Sequence, residues 1–252
     1  MSFDDNLNAC AALVEKGDPA RFRTVMAAPL AARKMLFPLY AFNVEVARAP
    51  WLTQEPMIAE MRLQWWRDAL EEIAAGTGIR HHEVVTPLSQ ILSREQAKAL
   101  DALVAARRWD CYKDPFEDDA HLHRYLGETS GILMRTASEL LGGPCAPAEQ
   151  AGLALGVANW LHAIPELEAQ KRIPLVDGTP EGVRQLAQTG LAALTSARSQ
   201  TIPRRARPAF WPATGIAKTL KRARNHPEQV AKATLPDPSP LALTLRAALT
   251  LW

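Results

Sequence analysis

The stretch "AEMRLQWWRDALEEIAAGTG", residues 59–78, decides the fold class. Leu63, Trp66, Leu70 and Ile73 recur every three or four residues and make one apolar stripe at helical spacing, with Met61, Trp65 and Ala69 as a second stripe beside it. A helix apolar over so wide an arc packs on two sides. Trp66 is therefore expected in the main core, and Trp65 largely buried against a second neighbour. Arg62, four residues before Trp66, is expected at the rim of whatever cavity that face borders. Gly76 and Gly78 supply the C-terminal stop.

Outward from this segment the same period repeats. Helices are expected over residues 5–16, 20–49, 85–92, 94–111, 118–141, 147–163, 180–199, 208–224 and 239–251, with Pro50, Pro87, Pro144, Pro165, Pro174 and Pro203 near their boundaries. β-Branched runs framed by turn residues are missing. The chain reads as all-α, one helical bundle over residues 1–252, because 48% hydrophobic content in 252 residues fills one large core and "PRRARPAFWPATG" and "ATLPDPSP" are too short to separate domains.

Composition narrows the function classes. Cys10, Cys111 and Cys145 are widely scattered, which suits a reducing compartment and gives no zinc signature. The acidic start "MSFDDNLNAC" does not read as a secretory signal, and with no run of about 18 apolar residues no membrane span is expected. The expectation is a cytoplasmic protein, at most peripheral at the inner face of a membrane.

The net charge of +2 hides an asymmetry, since residues 204–252 carry nine Lys/Arg against two Asp/Glu. Arg204, Arg205, Arg207, Lys218, Lys221, Arg222 and Arg224 fall in a stretch without any acid, a surface for anionic lipid or an acidic partner. Phe210 and Trp211 between the two basic groups either lie at a lipid headgroup level or staple the next helix onto the bundle. No nucleic-acid-binding motif accompanies the run.

Phosphate-loop, dinucleotide and nucleophile-elbow motifs are all missing. "EDDAHLHRY" brings Asp118, Asp119, His121 and His123 together, but residues two apart on a helix point about 200° from one another, so the two histidines do not share an ion. An aspartate capping a helix accounts for the cluster.

The ordered series "LYAFN", "LQWWRDAL", "YLGETSGILM", "ELLGG", "LALGVANWL" and "KRIPLV" resembles the squalene and phytoene synthase family from about residue 20 to residue 175. Leu63, Trp66 and Leu70 match its L-x-x-W-x-x-x-L pattern, and Tyr125 and Gly131 the tyrosine and glycine of its Y-C-Y-x-V-A-G helix. The resemblance implies an isoprenoid synthase fold in which two facing helices carry aspartates that hold magnesium against an allylic diphosphate.

Against the family's Y-A-F-C-R-x-x-D-D-x-x-D, "YAFNVEVARAPW" places Ala47, Arg48 and Trp51 where three aspartates stand. Glu45 lies about 200° around the helix from Ala47 and does not replace them. Against N-x-x-R-D-x-x-x-D, "NWLHAIPEL" keeps Asn159 but offers His162 for the arginine, and Ala163 and Leu167 for the aspartates. Pro50 is expected to disturb Ala49, and Pro165 to interrupt the second helix before Glu166. Arg172 of "KRIPLV" matches the arginine of the family's G-R-x-Y-L-P.

With every ligand gone, no catalytic residue, no metal and no cofactor are expected. The resemblance is closest to a degenerate branch typified by mitochondrial complex I assembly factors. It implies a non-catalytic binding or assembly protein with a protein partner, and Arg48, Arg62, Tyr125, Asn159 and Arg172 as candidate cavity or anion-binding residues. The alternative is a prenyl transferase holding diphosphate by arginine rather than magnesium.

Overall fold

A computed structural model describes residues 3–252, and among them every regular element is helical. Thirteen α-helices follow in order: α1 (Phe3–Gly17), α2 (Pro19–Met26), α3 (Leu30–Arg48), α4 (Pro56–Ala75), α5 (Val85–Ser89), α6 (Arg94–Ala106), α7 (Asp119–Leu126), α8 (Ile132–Leu140), α9 (Cys145–Ala169), α10 (Pro180–Arg198), α11 (Ile216–Asn225), α12 (Glu228–Ala231) and α13 (Pro240–Ala248). Short 3₁₀ segments extend α3 over Ala49–Trp51 and α6 over Arg107–Cys111, and a π-helical turn, Gly127–Gly131, joins α7 to α8.

Local chemistry sets the ends. Asp18 accepts the Arg21 N–H and Pro19 opens α2, while Ser93 and Gln96 close a capping box on α6. Asp118 caps α7 through the His121 N–H at 2.7 Å, as the sequence suggested for that His/Asp cluster. Gly76, with φ of 73°, turns the chain out of α4 in the left-handed region that favours glycine.

The centre of the bundle is α9, which packs on α8, α10, α11 and the π-turn and is apolar nearly all round. α4 packs on α6, and α1 on α3. Trp66 is 5% exposed and meets Phe42 edge-to-face at 5.5 Å. Trp65 is half-buried, with the Arg80 guanidinium 4.7 Å over its ring and His82 beside it.

Several expectations change. Met61 is 67% exposed, so the second stripe of α4 begins only at Trp65. The helix expected over 20–49 is two, because the chain turns at Ala27–Ala28 and Pro29 caps α3. Pro165 does not end its helix: α9 runs on to Ala169, since packing on both flanks outweighs one missing N–H. Ala49 likewise keeps right-handed helical geometry (φ −52°, ψ −42°) ahead of Pro50, which instead tightens the last turn to 3₁₀.

The basic C-terminal segment also differs. Residues 204–213 are 3₁₀, and Gly215 (φ 87°) separates them from α11. Phe210 and Trp211 are buried, Trp211 donating to the Leu251 carbonyl at 2.9 Å and Phe210 packing on Trp252, so neither reaches a headgroup layer. Arg204 and Arg207 donate to Thr250, and Arg205 to the Gly142 carbonyl. Arg204 and Arg207 tie the C-terminal segment to the 204–213 turn, and Phe210 and Trp211 pack inside the bundle as the stapling alternative has it, with Trp252 and Leu251 rather than the next helix as their partners.

Candidate functional site

A cavity of about 580 Å³ opens between α3 and α9, closed laterally by α1, α2, the 107–111 turn, α7 and the π-turn. Ala47, Arg48 and Trp51 line it from α3 and its 3₁₀ extension; Asn159, Ala163 and Leu167 line it from α9. All five degenerate motif positions thus share one cavity. Glu45 and Glu166 are not among its lining residues: Glu45 pairs with Arg48, and Glu166 accepts from Gln170 on the outer face of α9.

Two carboxylates do reach the cavity, and neither is free. Asp18 caps α2 and binds the Arg21 guanidinium. Asp110, 3% exposed, accepts the Tyr125 hydroxyl at 2.8 Å and Arg107 Nη1 at 3.0 Å, while Arg107 Nη1 also donates to the Tyr125 oxygen at 2.8 Å. Burial pushes the Tyr125 phenol up, Arg107 opposes this and Asp110 reinforces it, so the hydroxyl stays protonated and available as a donor. Burial alone would depress the Arg107 guanidinium, but Tyr125 and Asp110 outweigh it and hold it charged.

Aromatic packing fixes this triad. Trp109 stacks on Phe116 at 4.0 Å, and both lie against Tyr125 and Trp160. Trp160, on the cavity wall, is held by a 2.9 Å hydrogen bond to the Pro174 carbonyl. Arg172 does not line the cavity. It is a buried clamp, donating to the Tyr112 and Asp110 carbonyls and lying 4.6 Å over the Trp51 ring.

Of the five candidate cavity residues, the structure therefore brings Arg48, Tyr125 and Asn159 together, places Arg172 just behind the wall, and leaves Arg62 outside. Arg62 is exposed because the buried face of α4 turns toward α6, and α4 contributes nothing to the cavity wall. Sequence reading missed Lys16, Asp18, Arg21, Arg107 and Asp110. The signal available was "RRWD", an acid between aromatics and arginines at 107–110, but its partner Tyr125 lies in another element.

Metal chemistry finds no ligand set here: among the described residues no group of three or more His, Cys, Asp or Glu is placed to hold an ion. Ala47, Trp51, Ala163 and Leu167 offer no donor, and Asp18 and Asp110 already have cationic partners. The donor set does not fit magnesium.

A squalene/phytoene synthase family profile matches residues 14–176. The chain belongs to the squalene/phytoene synthase family. Its fold is the family's: it superposes on a dehydrosqualene synthase crystal structure with a TM-score of 0.77 at 15% identity, covering 98% of this chain and 96% of that one. The squalene synthase HpnC from Alicyclobacillus acidocaldarius gives a TM-score of 0.72 at 17% identity, covering 93% and 97%.

Sequence relatives carry another name. A Drosophila melanogaster protein named as a homolog of NADH dehydrogenase (ubiquinone) complex I assembly factor 6 is 32% identical over 181 residues, 66% of this chain and 53% of that protein. The Homo sapiens assembly factor 6 is 25% identical over 260 residues, 90% of this chain and 78% of that one. The chain spans about half the length of the fly relative it matches.

Proposed function

We propose that this squalene/phytoene synthase family member is non-catalytic and acts as a binding and assembly factor for a respiratory NADH dehydrogenase. One observation carries the reading: Ala47, Arg48, Trp51, Ala163 and Leu167 line the cavity at the positions where magnesium ligands would converge, and both carboxylates that remain are engaged. The names of the relatives give the assembly role its direction.

The mouth of the cavity supports a protein partner. Trp51 reaches from its wall to solvent, and Leu52, Met57, Met61 and Ile173 are exposed in the segments around it. Tyr112, also exposed, joins this border through Arg172, which bridges its carbonyl to the Trp51 ring. Exposed methionines at 57 and 61, close in sequence to the exposed Trp51, offer an adaptable apolar contact surface. Among the described residues no helix is long and apolar enough to cross a membrane; we place the protein on the cytoplasmic side, peripheral to the membrane that holds its partner.

Prenyl transfer by arginine is the other reading, and Lys16, Arg21, Arg48 and Arg107 do line the cavity. Arg21 is paired with Asp18, Arg48 with Glu45 and Arg107 with Asp110, which leaves Lys16 as the lining cation without an ion pair among the described residues. One lysine does not replace a divalent cluster on a diphosphate.

Two measurements test the proposal together. Purified protein given farnesyl diphosphate and magnesium is expected to release no diphosphate above a boiled control, whereas turnover revives the enzyme. Deleting the gene is expected to lower assembled NADH dehydrogenase on native gels. Restoration by the wild-type gene but not by Met57→Glu/Met61→Glu, with that variant's melting temperature unchanged, locates the partner surface; full assembly in the deletion strain ends the assembly reading.

A further inference from the structure

A second cavity, of about 870 Å³, lies on the other side of the Asp18–Arg21 pair, between α2, α9, the 211–219 segment and the start of α13. It shares Asp18, Arg21, Asn159 and Ala163 with the first. Leu155, Ala158, Trp211, Ile216 and Leu243 give it a largely apolar wall.

Two of the lining residues each hold a buried polar atom without a partner among the described residues: His162 Nε2 from α9 and Thr214 Oγ1 from the turn before α11. Thr214 is 5% exposed. The other buried hydroxyls of the chamber are satisfied, Thr24 donating to the Arg21 carbonyl at 2.7 Å and Thr219 to the Pro236 carbonyl at 2.8 Å. An unpaired buried donor or acceptor costs roughly 1–3 kcal/mol, so two held by residues of different elements that line one chamber call for an occupant.

We propose that this chamber binds a neutral amphiphile, one linear alkyl chain ending in a single hydroxyl group. A hydroxyl both donates and accepts, and so suits either His162 Nε2 or Thr214 Oγ1 as a partner. Charge argues for neutrality: Asp18 and Arg21 are paired, and the remaining lining charges are one of each sign, Arg23 and Asp237. A carboxylate or phosphate head finds no net positive field there. Volume argues for the chain, since 870 Å³ filled by water alone at about 30 Å³ each would press some two dozen or more molecules against apolar walls offering few hydrogen bonds. The chamber adjoins the degenerate motif face, sharing Asn159 and Ala163 with it, and the proposal stands apart from the assembly role.

Trp211 on the wall provides the probe. Adding 12-bromo-1-dodecanol to the full chain is expected to quench tryptophan fluorescence saturably, and Trp211→Phe to remove that saturable component. Thr214→Ser is expected to bind as wild type, while Thr214→Val and His162→Leu each bind about tenfold more weakly, the loss of one buried hydrogen bond with its partner left unpaired. Circular dichroism checks that each variant folds; two independent sites keep the test alive if one does not. 12-Bromododecanoate at neutral pH is expected to bind more weakly than the alcohol. No saturable quenching, which means a chamber holding water only, overturns the proposal, as do affinities unchanged in both polar variants or a preference for the carboxylate.

Discussion

Asp110 shows at the scale of one residue how the cavity is kept from being a metal site. Its carboxylate is buried, and a buried charge is tolerated only when paired and hydrogen-bonded, which Arg107 and Tyr125 supply. Removing the phenol hydroxyl takes one donor away from Asp110 and one acceptor away from Arg107. Tyr125→Phe is therefore expected to lower stability by about 1–3 kcal/mol in urea unfolding, a buried charged group having lost a hydrogen bond. Trp66→Ala, which empties a core position edge-on to Phe42 and Trp65, is expected to cost about 3–5 kcal/mol in the same assay. A Trp66→Ala cost below 1 kcal/mol would contradict its place in the core. The cysteines give a probe of burial without mutation. Burial, with Glu83 adding to it, pushes the Cys10 thiol up to about 12; burial, with Asp110 adding to it, pushes Cys111 up to about 11, while Cys145 is exposed. At pH 8 the native protein is expected to react with one equivalent of an aromatic disulfide reagent, slowly because Glu139 also raises the Cys145 thiol, and with three equivalents in denaturant. Rapid labelling of three thiols in the native state would refute the packing around Cys10 and Cys111.

Elements show where the sequence was legible. The stripe of α4, its glycine stop and the Asp118 cap follow from spacing and capping chemistry alone, because those signals are local. α9 was legible in type but not in extent. Proline at 165 reads as a stop when a helix is considered by itself, and the neighbours that hold α9 together across it lie in α8, α10 and the π-turn. The π-turn itself left a trace nobody reads from periodicity: Gly152 and Gly156 stand four apart on α9, and added methyl groups there would meet the Ser130 carbonyl at 2.6 Å and the Ser130 side chain at 2.9 Å. That close approach lets residues 127–131 lie directly on α9 and sets the floor of the cavity. Gly152→Val is expected to destabilise by about 1–3 kcal/mol or more, the range for overpacking a close-packed contact, and to melt well below wild type by calorimetry. Gly156→Ala is expected to cost less, since it adds a single methyl group whose nearest approach, to the Ser130 Cβ at 2.9 Å, is longer. Equal melting temperatures for wild type and Gly152→Val would mean that the π-turn does not seat on α9.

At the scale of the molecule, backbone and chemistry have separated. The chain follows a dehydrosqualene synthase over nearly its whole length at 15% identity, yet its two motif helices carry no free carboxylate toward each other. Arg62 was misplaced by sequence for a related reason: which helices wall the cavity is a property of the assembled bundle, and α4 is not one of them. Reading Pro50 and Pro165 as defects implied that the motif backbone was also lost, and the helical geometry of Ala49 and the continuity of α9 remove that implication. The missing property is then the ligands themselves. Ala47→Asp/Ala163→Asp is still expected to release no diphosphate from farnesyl diphosphate, because one carboxylate per helix is only part of the ligand set each motif of the family carries. Extending the change to Ala47→Asp/Trp51→Asp/Ala163→Asp/Leu167→Asp places two carboxylates four residues apart on each of two facing segments, the arrangement that holds a divalent ion against oxygen ligands. This quadruple variant is expected to bind manganese in a paramagnetic titration where wild type binds none. If it folds and still takes no manganese, the two helices stand too far apart or too occluded to share an ion, and the separation of backbone from chemistry reaches deeper than the side chains.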